Sequence, residues 1–254
     1  MSDNSRAELR EALDDESLVN YYQPIHDITT RRIVSAESLL RRLENSEASA
    51  GDLTAAAEHG PDLVRLDQWS LHSAFSAAAR WQRGHEGVRV NVNLSPREFE
   101  KESLVRRIDR LVEETGVLPS RVNLEITETS YIHDPPGTVA VLDQLKERGF
   151  DLWLDDFGSG HSSIEHLQHF PLDGLKIPGG FVREITRSSR CCSIVRGVVA
   201  LAHDLGLAVV CEEVENEEQL EFVRLAGANL IQGFLFSHPM PVDEFISFLG
   251  SQSS

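Results

Sequence analysis

The chain is 254 residues long with 41% apolar content, enough to bury the core of one large α/β domain. Its formal charge of −17, from 41 acidic against 24 basic residues, excludes a broad DNA- or RNA-binding surface, because a phosphate backbone is held by clustered Lys and Arg. Its three cysteines are few, Cys191 and Cys192 are adjacent, and Met1–Glu16 is acidic where an export signal would be basic and then apolar; a reducing cytoplasm and no membrane insertion are expected.

Short β-rich runs alternate with longer helical patterns. Strands are expected at 20–24, 32–39, 88–94, 122–126, 152–155, 175–177, 208–212 and 230–233, and helices at 61–82, 100–114, 138–148, 162–169, 190–205, 217–226 and 242–249. Eight strands separated by helices is the pattern of a (β/α)8 barrel. The first two strands are joined only by 26–31, too short for a helical crossover, so that pair must be antiparallel. The expected architecture is a TIM-like (β/α)8 barrel with the first strand antiparallel, as a single domain over 1–254 with a loose tail at 251–254.

The strands end on polar residues. Glu37, Asn93, Glu125, Asp155 with Asp156, Lys176, Glu212 and Gln232 close successive strands, and barrel active sites form where such ends converge. Five carboxylates in one mouth repel unless protonated or bridged by cations. Oxygen ligands with one amide suit Mg²⁺ or Mn²⁺ rather than thiolate-favouring metals. Adjacent aspartates can serve two ions, the arrangement of two-metal phosphoryl chemistry.

The ordered blocks resemble the EAL-domain family. Ala36-Glu37-Ser38-Leu39-Leu40-Arg41 is similar to its signature, and Asn93-Leu94-Ser95-Pro96, Glu125-Ile126-Thr127-Glu128, Asp155-Asp156-Phe157-Gly158-Ser159-Gly160, Leu175-Lys176-Ile177, Glu212-Glu213-Val214-Glu215 and Gln232-Gly233-Phe234 follow in order. The resemblance implies a phosphodiesterase that opens cyclic di-GMP to linear pGpG by two-metal activation of water, using one or two Mg²⁺ or Mn²⁺ ions, and it is compatible with a homodimer. Carried over residue by residue, it makes Glu37, Asn93, Glu125 and Asp155 ligands of one ion and Asp156 a ligand of the other, with a bridging role open to it. Glu37, Lys176 and Glu212 become the catalytic set. It places Gln23, Leu39, Arg41, Gln232 and Pro239 against the nucleotide and makes Glu128 the anchor of the Asp156–Ser163 loop.

The chain departs from the family pattern where Pro178-Gly179-Gly180 replaces the aspartate after Lys-Ile, and where Glu213 replaces glycine. A proline there re-routes the backbone; Glu213 adds a charge and a side chain where glycine would permit unusual torsions, and on a strand it would face away from Glu212. Ser38, Ser159 and His161 also differ from the usual alanine, threonine and tyrosine. These departures leave a second reading open, a weak or inactive module that binds cyclic di-GMP or a protein partner.

Overall fold

The computed structural model describes residues 11–14, 17–43, 62–95, 104–127, 135–158 and 164–252. In chain order, after a helical turn at 11–14, these form β1 (Leu18–Asp27), β2 (Ile33–Arg42), α1 (Asp62–Trp81), β3 (Arg89–Leu94), α2 (Leu104–Thr115), β4 (Val122–Thr127), α3 (Pro135–Glu147), β5 (Asp151–Asp155), α4 (Ile164–His169), β6 (Gly174–Ile177), α5 (Gly179–Glu184), α6 (Ser189–Asp204), β7 (Ala208–Cys211), α7 (Glu217–Ala226), β8 (Leu230–Gln232), β9 (Met240–Pro241) and α8 (Val242–Gln252).

Strands β2 to β8 run parallel in sequence order, and β1 closes the ring by pairing antiparallel with both β2 and β8. This is the expected barrel, closed with the first strand reversed. The reversal has a local cause: Asp27 Oδ1 accepts from Thr29 N and Thr30 N at 3.0 and 2.6 Å, and Arg31 takes a left-handed φ of 59°. A side-chain-capped turn of this kind returns the chain at once.

Alternation along each strand sorts the residues. Val90, Val92, Leu124, Ile126, Leu152, Leu154, Leu175, Ile177, Val209, Cys211 and Ile231 belong to one buried apolar cluster with residues of the helices. The alternate positions line the barrel. Ile25, Trp153 and Val210 form a small apolar plug there, and a β-carbon at Gly174 would fall 2.5 Å from the Trp153 ring, so glycine makes the room. Above this plug the interior turns polar.

Three features differ from the sequence reading. Helix α5 occupies 179–184, where no helix is expected and the proline is read as re-routing the backbone; Pro178, at φ −64° and ψ 147°, stands as its N-cap, and proline's fixed φ suits a helix start. Strand β7 stops at Cys211, and Glu213 beyond it has φ 52°. It is therefore not a strand residue facing away from Glu212, and its left-handed backbone is the conformation for which glycine is the easy choice. Helix α8 continues through Gln252, into the segment read as a loose tail.

Candidate active site

Lys176 is 0% exposed. From the inward side of β6 its Nζ reaches Glu37 Oε2 on β2 at 3.1 Å, Glu125 Oε2 on β4 at 3.2 Å, Asp155 Oδ1 on β5 at 3.2 Å and Glu212 Oε1, one residue past β7, at 2.8 Å. Four strands thus place four carboxylates around one ammonium. Neutral amides complete the shell: Gln232 Nε2 donates to Glu37 Oε2 at 2.8 Å and to Gln23 Oε1 at 3.1 Å, and Asn93 Nδ2 donates to Glu37 Oε1 at 3.2 Å. Register explains the convergence, because Gln23 pairs with Glu37 and Asn93 with Glu125 across neighbouring strands.

Carboxylate oxygens of Glu37, Glu125 and Asp155 lie within 4.8 Å of one another, as do those of Asp155, Asp156 and Glu212. Both sets consist of hard oxygen donors from several strands, the donor chemistry that holds Mg²⁺, Mn²⁺ or Ca²⁺. Asp155 belongs to both sets, whereas the sequence reading left the bridging role to Asp156. Asp156 is exposed at the rim with φ 56°, and its N–H donates to Asp155 Oδ1 at 2.9 Å.

The electrostatics follow from burial against pairing. Burial alone would strip Lys176 of its proton, but Asp155, Glu125, Glu212 and Glu37 together push its pKa well above the ordinary lysine value. For Glu37 burial opposes ionisation, yet Lys176 and the amides of Gln232 and Asn93 outweigh it and hold the carboxyl below its usual range. For Glu125 burial wins over Lys176, reinforced by Glu37 and Asp155, and the carboxyl sits well above that range. Burial likewise pushes Glu212 up to about 7 against the pull of Lys176. Too many carboxylates share one cation here, which is the electrostatic signature of a site made for more positive charge.

The other expected residues distribute as follows. Leu39 and Arg41 follow Glu37 at two-residue steps along β2, and Arg41 Nη1 donates to Leu40 O at 2.8 Å. Burial lowers the Arg41 pKa first, countered by Glu37. Gln23 is buried on β1 and donates through Nε2 to Ser237 O at 3.4 Å, which ties it to the segment that carries Pro239 before β9. Glu128, Ser159 and His161 lie outside the described residues.

A family model, the EAL domain, matches residues 6–239. The chain belongs to the EAL-domain family. It is 35% identical to the cyclic di-GMP phosphodiesterase NbdA of Pseudomonas aeruginosa over 245 residues, 95% of this chain and 31% of that protein. It is 33% identical to the cyclic di-GMP phosphodiesterase PdeR of Escherichia coli over 240 residues, 93% of this chain and 36% of that protein. The chain therefore spans about a third of the length of these relatives. Among solved structures, the phosphodiesterase PaMucR in complex with cyclic di-GMP superposes with a TM-score of 0.89 at 33% identity, covering 95% of this chain and 99% of that one. The manganese and cyclic di-GMP complex of Klebsiella pneumoniae BlrP1 gives 0.79 at 31% identity, covering 89% of this chain and 57% of that one.

Within this EAL domain a polar relay beneath the carboxylates escaped the sequence reading. Asn91 Nδ2 donates to Glu125 Oε1 at 2.7 Å, Asn123 Nδ2 donates to Asn91 Oδ1 at 2.9 Å, and Arg89 Nη1 donates to Asn123 Oδ1 at 3.2 Å. Asn91 and Asn123 are both buried. They orient Glu125 as hydrogen-bonded outer partners orient metal ligands. The signal was present: each lies two residues before Asn93 or Glu125 and so shares its inward face.

Proposed function

We propose that this EAL domain is a metal-dependent phosphodiesterase that opens cyclic di-GMP to linear pGpG with Mg²⁺ or Mn²⁺. The observation that carries this reading is the convergence of Glu37, Glu125, Asp155 and Glu212 on Lys176 within 3.2 Å. No serine, cysteine or histidine nucleophile is required in such a centre. A divalent cation held by these oxygens supplies Lewis acidity to an incoming water and to the scissile phosphate.

The chain's own residues divide the remaining work. Glu37, Asn93, Glu125 and Asp155 hold one cation, and Asp155, Asp156 and Glu212 are the carboxylates for a second. Gln232 and the relay through Asn91 keep Glu37 and Glu125 in their rotamers, so no reorganisation is needed when the substrate arrives. Lys176 keeps its proton and offsets negative charge developing on the phosphate. Arg41, a planar fork of donors at the outer end of β2, takes a substrate phosphate. Gln23, Leu39, Gln232 and Pro239 contact the nucleoside parts, Gln232 through the side that Gln23 shares with it.

Incubation of the purified chain with cyclic di-GMP in Mg²⁺, Mn²⁺ or Ca²⁺, followed by chromatography for pGpG, tests the reading. Product in Mg²⁺ or Mn²⁺ is expected. Tight binding of cyclic di-GMP with no product in any metal would overturn hydrolysis in favour of a receptor.

A further inference from the structure

Two of the three non-glycine residues with positive φ among the described residues, Asp156 at 56° and Glu213 at 52°, flank the carboxylates at the rim. Such conformations persist only where neighbouring structure holds them. The neighbour common to Glu213 and to the loop after Asp156 is α5. On one side Arg183 of α5 forms an ion pair with Glu213, and the Glu213 side chain runs so close over Gly179 that a β-carbon there would overlap its Cγ and Cδ. On the other side Phe181 packs on the loop after Asp156: a β-carbon at Gly158 would lie 3.3 Å from the Phe181 ring. Backbone bonds fix the two strand ends to β6 between them, Phe157 N to Lys176 O at 3.2 Å and Glu212 N to Ile177 O at 3.1 Å.

We propose that α5 is a crosspiece between the chain ends that carry Asp155–Asp156 and Glu212. Glu213, Gly179 and Arg183 are then positioning residues for the cation at Asp155, Asp156 and Glu212. This rests on the metal reading given above. The arrangement also joins two of the departures from the family pattern, Pro178-Gly179-Gly180 and Glu213, into one device. Glu213 requires the bare Cα of Gly179, and Pro178 starts the helix that presents Gly179 and Arg183 one turn apart on the same face.

Sterics outweigh charge in this device. Arg183 and Glu213 are 53% and 48% exposed in their side chains, and an exposed pair contributes little alone. The side-chain path over Gly179 is the stronger constraint. Gly179→Ala must swing Glu213 off the helix and into solvent, which the exposed carboxylate can do without unfolding the domain.

Mn²⁺ binding followed by electron paramagnetic resonance on the whole chain tests this, with melting curves to show that each variant is folded. The wild-type chain should bind two Mn²⁺. Gly179→Ala and Glu213→Gly should each weaken one of the two sites about ten-fold, as loss of partners behind metal ligands does. The double variant should be no weaker than either single, because both remove the same contact. Arg183→Ala, at an exposed position, should weaken that site less and have no effect once Glu213 is glycine. Multiplicative losses in the double variant, or no loss in the singles, would overturn the crosspiece while leaving the metal reading intact. A wild-type chain that binds no Mn²⁺ would overturn both.

Discussion

Replacing Lys176 by methionine keeps an unbranched side chain only one atom shorter and removes its charge. In the wild-type fold the ammonium lies 2.8–3.2 Å from four carboxylate oxygens, and Glu37, buried, stays ionised because of it. Without metal the variant must bury that charge unpaired or protonate it. Protonation is the cheaper route: binding one proton to an ordinary carboxylate costs about 4 kcal/mol at pH 7 and about 1 kcal/mol at pH 5, from 1.36 kcal/mol per pKa unit above about 4.3. The sign follows from proton counts. Between pH 5 and 8 the folded variant holds a proton that its unfolded chain releases, so its stability relative to wild type falls as pH rises.

For a domain of this size each kcal/mol moves the melting temperature by about 2–4 °C, so Lys176→Met should melt about 10 °C below wild type at pH 7 in a chelator and only a few degrees below it at pH 5. Mn²⁺ should recover more of the loss in the variant than it adds to wild type, because the ion substitutes for the missing ammonium. Turnover of cyclic di-GMP should not recover with the fold, since Lys176 is assigned to transition-state charge. Scanning fluorimetry from pH 5 to 8, with chelator and with Mn²⁺, reads all of this. An equal melting difference at pH 5 and pH 8, or a metal-free variant as stable as wild type at pH 8, would refute the account of the cluster.

Asp155→Ala removes the carboxylate common to both oxygen sets and should abolish hydrolysis while lowering Mn²⁺ stoichiometry; Glu37→Ala should likewise abolish turnover, and near-normal rates in either purified variant would remove the ligand assignment. His26 is 2% exposed, its Nδ1 finds no hydrogen-bond partner among the described residues, and burial lowers its pKa to about 4. Its neutral form belongs to the fold, so it contributes stability above pH 6.5 that is lost as pH falls towards 4, about 3 kcal/mol in all. Urea denaturation should show a smaller difference between pH 7 and pH 4.5 for His26→Leu than for wild type, and equal differences would count against it. Pro178 has a φ suited to its N-cap position, so Pro178→Ala should leave turnover unchanged, whereas Pro178→Asp, which restores the usual carboxylate, should lower the Mg²⁺ concentration for half activity; a gain in both variants would make backbone geometry the limiting factor.

The barrel and most of the candidate site were legible because strand alternation and chain order carry them. Strand alternation puts Glu125, Asp155 and Lys176 on inward faces, and chain order places them in one mouth. The same alternation extends inward to Asn91 and Asn123, but a polar residue one layer below the rim carries no strand-end signal of its own, although the orientation of a ligand is decided there. Helix α5 was hidden for another reason. Pro178, Gly179 and Gly180 each disfavour a helix interior, yet a proline at the N-cap does not lie in the interior and Gly179 meets a packing need set by a residue 34 positions away, Glu213. The usual glycine at position 213 points to an unusual torsion after β7, but nothing in the sequence marks the one after β5. Asp155 ends β5 pointing inward, and Asp156 leaves it at φ 56°; that one angle, invisible in a pair of identical residues, brings Asp156 alongside Asp155 and Glu212 instead of onto the outer face that strict alternation would assign. At the mouth of this barrel residue type names the candidate ligands, but the torsions where strands stop decide which of them can share an ion.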